Sequence, residues 1–275
     1  IALCAQAVIN NNLENTTSII AGKDIAKNEA TVSIDSFNWE QDVDTHIGDI
    51  TIEDNGKTVH MIGNEKHPGT NSIYIIPETH QEQIFSFDYN LDFGDSFISA
   101  GVLLRVKKEI RTVEDSFSKQ EVLTGYMLSF NSNMWAPPVY LCDPEFSWYT
   151  ASGDKKAAIW KFSLPLNLSW VSYNSFWTMG DHSNQIEKTL VKGLDLPQTG
   201  SMTITSNPNQ IKITGTDINE TIDISKDNDI GEGFGFFTTH YEHGCELIGE
   251  FNLTNCSLTV IDIEPHDLYV DPNGG

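Results

Sequence analysis

Basic residues are scarce in this chain: 16 Lys and Arg stand against 39 Asp and Glu in 275 residues, a formal net charge of −23 at pH 7. That balance all but excludes nucleic acid as a partner, because such binding depends on Lys and Arg neutralising phosphates. An anionic membrane surface is disfavoured on the same ground. Long apolar runs are also missing. None approaches the roughly 20 residues a membrane-spanning helix needs, so no membrane insertion is expected. Cysteine is sparse, and Cys4, Cys142, Cys245 and Cys256 form neither a disulfide scaffold nor a CxxC or His–Cys metal spacing. Cys245 and Cys256 are near enough in sequence to close a hairpin disulfide, worth about 2–3 kcal/mol through loop closure. The alternative is two buried free thiols.

Apolar residues do not recur with a helical period over any long stretch, and residues 181–192 and 116–123 are the nearest helical candidates, both short. What is present is alternation. Phe85, Phe87, Tyr89, Leu91 and Phe93 interleave with Ser86, Asp88, Asn90 and Asp92, the pattern of a strand with one buried and one wet face. A second, more uniformly apolar strand is expected over 98–106. Further strands are read at 125–130, 157–168, 201–205, 210–214, 221–225, 233–239 and 250–263. Asn207-Pro208-Asn209 between two short β-branched runs is a hairpin signal. With 39% hydrophobic and 10% aromatic residues, about a dozen strands without a compositional break predict one large two-sheet sandwich, not two domains.

The ends read differently. An apolar start closes on Ala5-Gln6-Ala7, the small-x-small pattern of a signal peptidase site; a short hydrophobic strand is the other reading. Residues 1–30 are taken as a lead-in, 31–264 as the sandwich and 265–275 as a linker to a downstream repeat domain. Val270-Asp271-Pro272-Asn273-Gly274-Gly275 resembles the opening of internalin B-type repeats of Gram-positive surface proteins. The body of the chain resembles the concanavalin A-like (laminin G-like) jelly rolls over roughly residues 32–263. The resemblance rests on the alternating aromatics from Phe85 onward, Gly101-Val102-Leu103-Leu104-Arg105, the glycine-rich run from Gly231 to Phe237, and Phe251-Asn252-Leu253 near the close. It implies an all-β, two-sheet antiparallel jelly-roll sandwich, in a fold that hosts lectins, adhesins, glycoside hydrolases and spacers alike. Gly231, Gly233 and Gly235 within one strand predict close approach of a neighbouring backbone or a sharp bend.

Catalytic chemistry has little support. Glycoside hydrolysis needs two carboxylates about 5–9.5 Å apart, and the E-x-D-x-x-E strand of the retaining enzymes that share this fold is absent. Asp262 and Glu264, and Asp223 and Asp227, read as structural or solvated pairs, so no catalytic residue is assigned. Calcium is the candidate cofactor, since oxygen ligands are plentiful. Asp227 and Asp229, in the turn before the glycine-rich strand, are the favoured ligands. Asp88, Asn90 and Asp92 are read instead as a wet strand face. His240 and His243 are read as an exposed polar loop. Residues 44–48 resemble the metal loop of legume-type lectins but lack its order and its Asn.

Aromatic clustering is the strongest functional signal. Five of the six Trp lie between positions 135 and 177. A long Pro-, Ser- and Asn-containing loop there offers Trp135, Tyr140, Trp148 and Tyr149, with Trp177 beyond it, as flat faces for sugar C–H surfaces beside polar groups for hydroxyls. The alternative is that this excursion folds over one sheet and buries its aromatics. These residues point to a non-catalytic adhesin or carbohydrate-binding module, and the resemblances above imply a secreted or cell-surface setting of Gram-positive type. It is expected to be monomeric and to take a glycan or another extracellular surface ligand. A carbohydrate-active enzyme of the same fold, or a structural stalk, is the alternative.

Overall fold

The computed structural model describes residues 27–42, 48–63, 69–76, 82–92, 99–112, 119–131, 157–165, 187–240 and 250–263. In chain order the strands are β1 (Lys27–Val32), β2 (Glu40–Asp42), β3 (Gly48–Glu53), β4 (Thr58–Gly63), β5 (Gly69–Ile75), β6 (Glu82–Asn90), β7 (Ser99–Thr112) and β8 (Lys119–Asn131). They continue with β9 (Ala157–Pro165), β10 (Glu187–Leu194), β11 (Thr199–Ser206), β12 (Gln210–Gly215), β13 (Ile218–Asp223), β14 (Gly233–His240) and β15 (Glu250–Ile263).

Alternation becomes burial directly in β6, where Phe85, Phe87 and Tyr89 point inward and are buried while Ser86 and Asp88 lie on the other face. The same holds for Met202 and Ile204 of β11 and for Ile211 and Ile213 of β12. These strands belong to a first sheet ordered β13-β12-β11-β6-β15-β4-β3, with β1 also paired to β15. The 14-residue β15 serves two partners along one edge: its start pairs with β4 and its later part with β1. The second sheet runs β10-β9-β8-β7-β14-β5-β2. All pairings are antiparallel. The architecture is the expected two-sheet antiparallel jelly-roll sandwich.

Between the sheets aromatic rings pack against one another within a larger aliphatic core. The Phe85 ring lies 5.1 Å from Phe87 and 5.1 Å from Phe234 across the gap, and Phe130 lies 5.0 Å from Phe251. Trp39 closes one side, 5.6 Å from Phe236, with its indole N–H donating to the Ile34 carbonyl at 2.8 Å. At the far edge Lys192 of β10 reaches Glu220 of β13 at 3.3 Å, an ion pair that bridges the two sheets.

Two expectations change. Residues 116–123 and 181–192 are not helical where described: Lys119 onward is β8 and Glu187 onward is β10. Both stretches are polar enough to mimic a short helix, but cross-strand pairing, β8 with β7 and β10 with β9, satisfies their backbone groups instead. The glycine-rich expectation holds in a specific way. A Cβ on Gly235 would lie 2.3 Å from the Ile73 carbonyl oxygen, so β14 and β5 approach too closely there for any side chain.

Candidate functional site

The turn that carries the chain from the first sheet to the second builds the most developed polar constellation among the described residues. It begins as β13 ends, where the Asp223 carboxylate accepts from the Ser225 amide at 2.9 Å and the Ser225 hydroxyl at 2.6 Å. The Asp227 amide then donates to the Ile224 carbonyl at 2.9 Å, and the Asp229 amide donates to Asp227 Oδ1 at 3.0 Å. Short Asp and Ser side chains satisfy a turn's amides in this manner without regular structure.

Asp227 reaches across to the second sheet, where β8 and β9 place Tyr126 and Lys161 directly opposite each other. The Tyr126 hydroxyl donates to Asp227 Oδ2 at 2.8 Å. Lys161 Nζ lies 2.9 Å from Oδ1 and 2.8 Å from Oδ2, and 3.9 Å from Asp229 Oδ2. Thr124 adds a bond from its hydroxyl to the Asp229 carbonyl at 2.8 Å. Burial acts to raise the Asp227 carboxyl, but the Lys161 ammonium, the Asp229 amide and the Tyr126 hydroxyl outweigh it and hold the group below its ordinary range. Burial, reinforced by the neighbouring carboxylate, pushes the Tyr126 phenol well up.

Asp227 and Asp229 therefore come together as their spacing suggests, but around an ammonium group. Calcium takes six to eight oxygens, whereas Lys161, Tyr126 and a backbone amide already use the Asp227 oxygens. Among the described residues no group of three or more His, Cys, Asp or Glu side chains is arranged to hold a metal. As arranged, this pair acts as a latch between the sheets. Nothing in the sequence marks Lys161, 66 positions before Asp227, as its partner; β8–β9 pairing and the turn together create the contact.

Asp88 and Asp92 lie on the wet strand face that their alternation implies. On the outer face of the first sheet Asp88 accepts from the Ser201 hydroxyl at 2.5 Å and the Asn255 amide at 2.7 Å, which hold it below its usual range. Asn90 Oδ1 caps the Asp92 amide at 3.0 Å. Cys256 is a free, buried thiol, pushed up to about 12 by burial, not half of a bridge to Cys245; Cys245 itself lies outside the described residues. Outside them too are Trp135, Tyr140, Trp148, Tyr149 and Trp177, along with His243 and Glu264. Their connections are anchored by described strands. Residues 132–156 join Asn131 to Ala157, and residues 166–186 join Pro165 to Glu187, so the two leave β9 from opposite ends.

No family model matches the chain, and no curated protein matches it. Solved structures do. A Bacillus subtilis protein of unknown function with a galectin-like fold is similar at TM-score 0.42 and 8% identity, covering 82% of this chain and 90% of that one. A beta-porphyranase from the human gut bacterium Bacteroides plebeius is similar at TM-score 0.43 and 6% identity, covering 82% and 86%. The exoplasmic/lumenal domain of VIP36, in a Ca2+/Man3GlcNAc-bound form, is similar at TM-score 0.37 and 9% identity, covering 81% and 82%.

Proposed function

We propose that this chain is an extracellular, non-catalytic glycan-binding module of adhesin type, which meets its ligand through the aromatic residues of the two connections flanking β9. The observation that supports this most is their composition. Segments 132–156 and 166–186 hold Trp135, Tyr140, Trp148, Tyr149 and Trp177 among Asn, Ser and Asp, and they are mounted on a two-sheet scaffold. Flat apolar rings beside hydrogen-bonding groups are what a sugar demands of a protein surface. Connections this long in an otherwise tightly turned sandwich usually serve function. The strongly acidic composition suits a displayed domain that must stay dispersed.

A glycan array probed with the wild-type chain and with Trp135→Ala and Trp148→Ala tests the reading. Specific binding that either substitution weakens at least tenfold, about 1.4 kcal/mol, supports it. Absence of binding to any glycan sinks it, and turnover of a polysaccharide would replace it with an enzyme of the same fold.

A further inference from the structure

Two Asn-Gly pairs occur in the chain, Asn55-Gly56 and Asn273-Gly274, and the first lies among the described residues. No side chain shields the glycine amide of such a pair, so in an unfolded chain its asparagine loses ammonia faster than asparagines followed by bulkier residues. Asn55 is exposed at the tip of the hairpin that joins β3 to β4, at one edge of the first sheet. The backbone is left-handed at Asp54, Asn55 and Gly56 in succession, with φ of 54°, 55° and 81°. Asp and Asn accept such angles better than other side chains, and glycine accepts them freely. Packing also requires glycine at 56, since a Cβ there would lie 2.7 Å from Ser33 Oγ and 3.0 Å from the Ile34 amide nitrogen. The hairpin therefore carries a chemically labile pair whose second member cannot be exchanged without strain.

We propose that Asn55 is a guarded deamidation site, held inert by the folded turn and released when the hairpin tip opens. In the reaction the Gly56 nitrogen gives up its proton and bonds to Asn55 Cγ, ammonia leaves, and a succinimide closes. Water then opens either carbonyl of that ring to give aspartate or isoaspartate, so one water is consumed and one ammonia released, with no other reactant. The fold opposes the first step at several atoms. The Gly56 amide donates to the Glu53 carbonyl at 3.0 Å, and the Lys57 amide donates to the same oxygen at 3.1 Å. The Asn55 carbonyl accepts from the Ser33 hydroxyl at 2.9 Å, and the Lys57 carbonyl accepts from the Cys256 amide at 2.9 Å. The Thr58 hydroxyl braces the flank, donating to Asp54 Oδ2 at 2.9 Å. Attack on Cγ swings the Asn55–Gly56 peptide away from Glu53 and Ser33, so it requires the tip to open locally first. An isoaspartate at 55 then lengthens the backbone by one methylene and prevents the same turn from closing again on edge strand β3.

This goes beyond the proposed function and stands without it, since the guard depends on the hairpin and not on any ligand. The test incubates the full wild-type chain and its Ser33→Ala variant in mildly alkaline buffer, each folded and in guanidinium chloride. Peptide mapping by mass spectrometry then follows aspartate and isoaspartate at position 55 with time. Folded wild-type chain is expected to react at Asn55 about tenfold or more slowly than unfolded chain. Ser33→Ala, with its fold checked by circular dichroism, is expected to speed the folded reaction by about threefold or more, because the Asn55 carbonyl loses its partner. Equal rates in folded and unfolded wild-type chain would overturn the guard, and this comparison decides the matter even where the variant does not fold. An unchanged rate in folded Ser33→Ala would overturn the part assigned to Ser33.

Discussion

The two sheets use the same strand geometry for opposite ends. In the first, β6 and β11 bury alternate residues and turn hydroxyls and carboxylates to solvent. In the second, residues 100–106 of β7 and 122–130 of β8 are buried without interruption. A sheet wet on one face must alternate, whereas one covered on both reads as a continuous apolar run. The difference teaches that the hydrophobic pattern of a strand reports how many layers it belongs to. Among the described residues the sandwich has two sheets and two buried apolar clusters, one between the sheets and one on the far side of the second.

The sharpest break of that comparison is Trp160→Ala. With both faces of the second sheet dry, it costs about 3–5 kcal/mol, as much as Phe85→Ala in the core between the sheets. Denaturant unfolding checks this, and a cost under about 1 kcal/mol would mean an open outer face. Next is the latch: Lys161→Met leaves the largely buried Asp227 carboxylate without its cation and costs about 1–2 kcal/mol, discounted because Lys161 is itself 37% exposed. The sign with pH follows from Asp227's depressed value. Its contribution is complete above the ordinary carboxyl value of 3.8 and is lost as pH falls through the lower folded value. The wild-type chain therefore loses stability below about pH 4, and Lys161→Met flattens that slope. Because Lys161, Tyr126 and a backbone amide already occupy the Asp227 oxygens, calcium leaves the wild-type melting midpoint unchanged; a clear rise would restore Asp227 and Asp229 as metal ligands. Smallest of all is Lys212→Ala on the wet face of the first sheet, within about 0.5 kcal/mol.

Much of the scaffold was legible in the residues. Alternation at Phe85, Phe87 and Tyr89 placed β6 and its inward face, and Asn207 marked a hairpin whose amides at Asn209 and Gln210 it does accept. The glycines of β14 announced close backbone approach. The β10 stretch and the start of β8 were not legible as strands, because Glu, Lys, Thr and Gln suit a short helix as readily until a neighbouring strand claims their amides. The latch was half legible: Asp227 and Asp229 stood out, but a turn rich in Asp looks the same whether it faces a calcium ion or a lysine.

By itself the sequence determined the all-β class and the inward face of alternating strands such as β6, since these follow from local period and composition. The tertiary structure alone decided which strands became neighbours, that Cys256 is a buried free thiol, and that Lys161 meets Asp227. Those outcomes depend on residues far apart in the chain, and no local pattern encodes them until the sheets close.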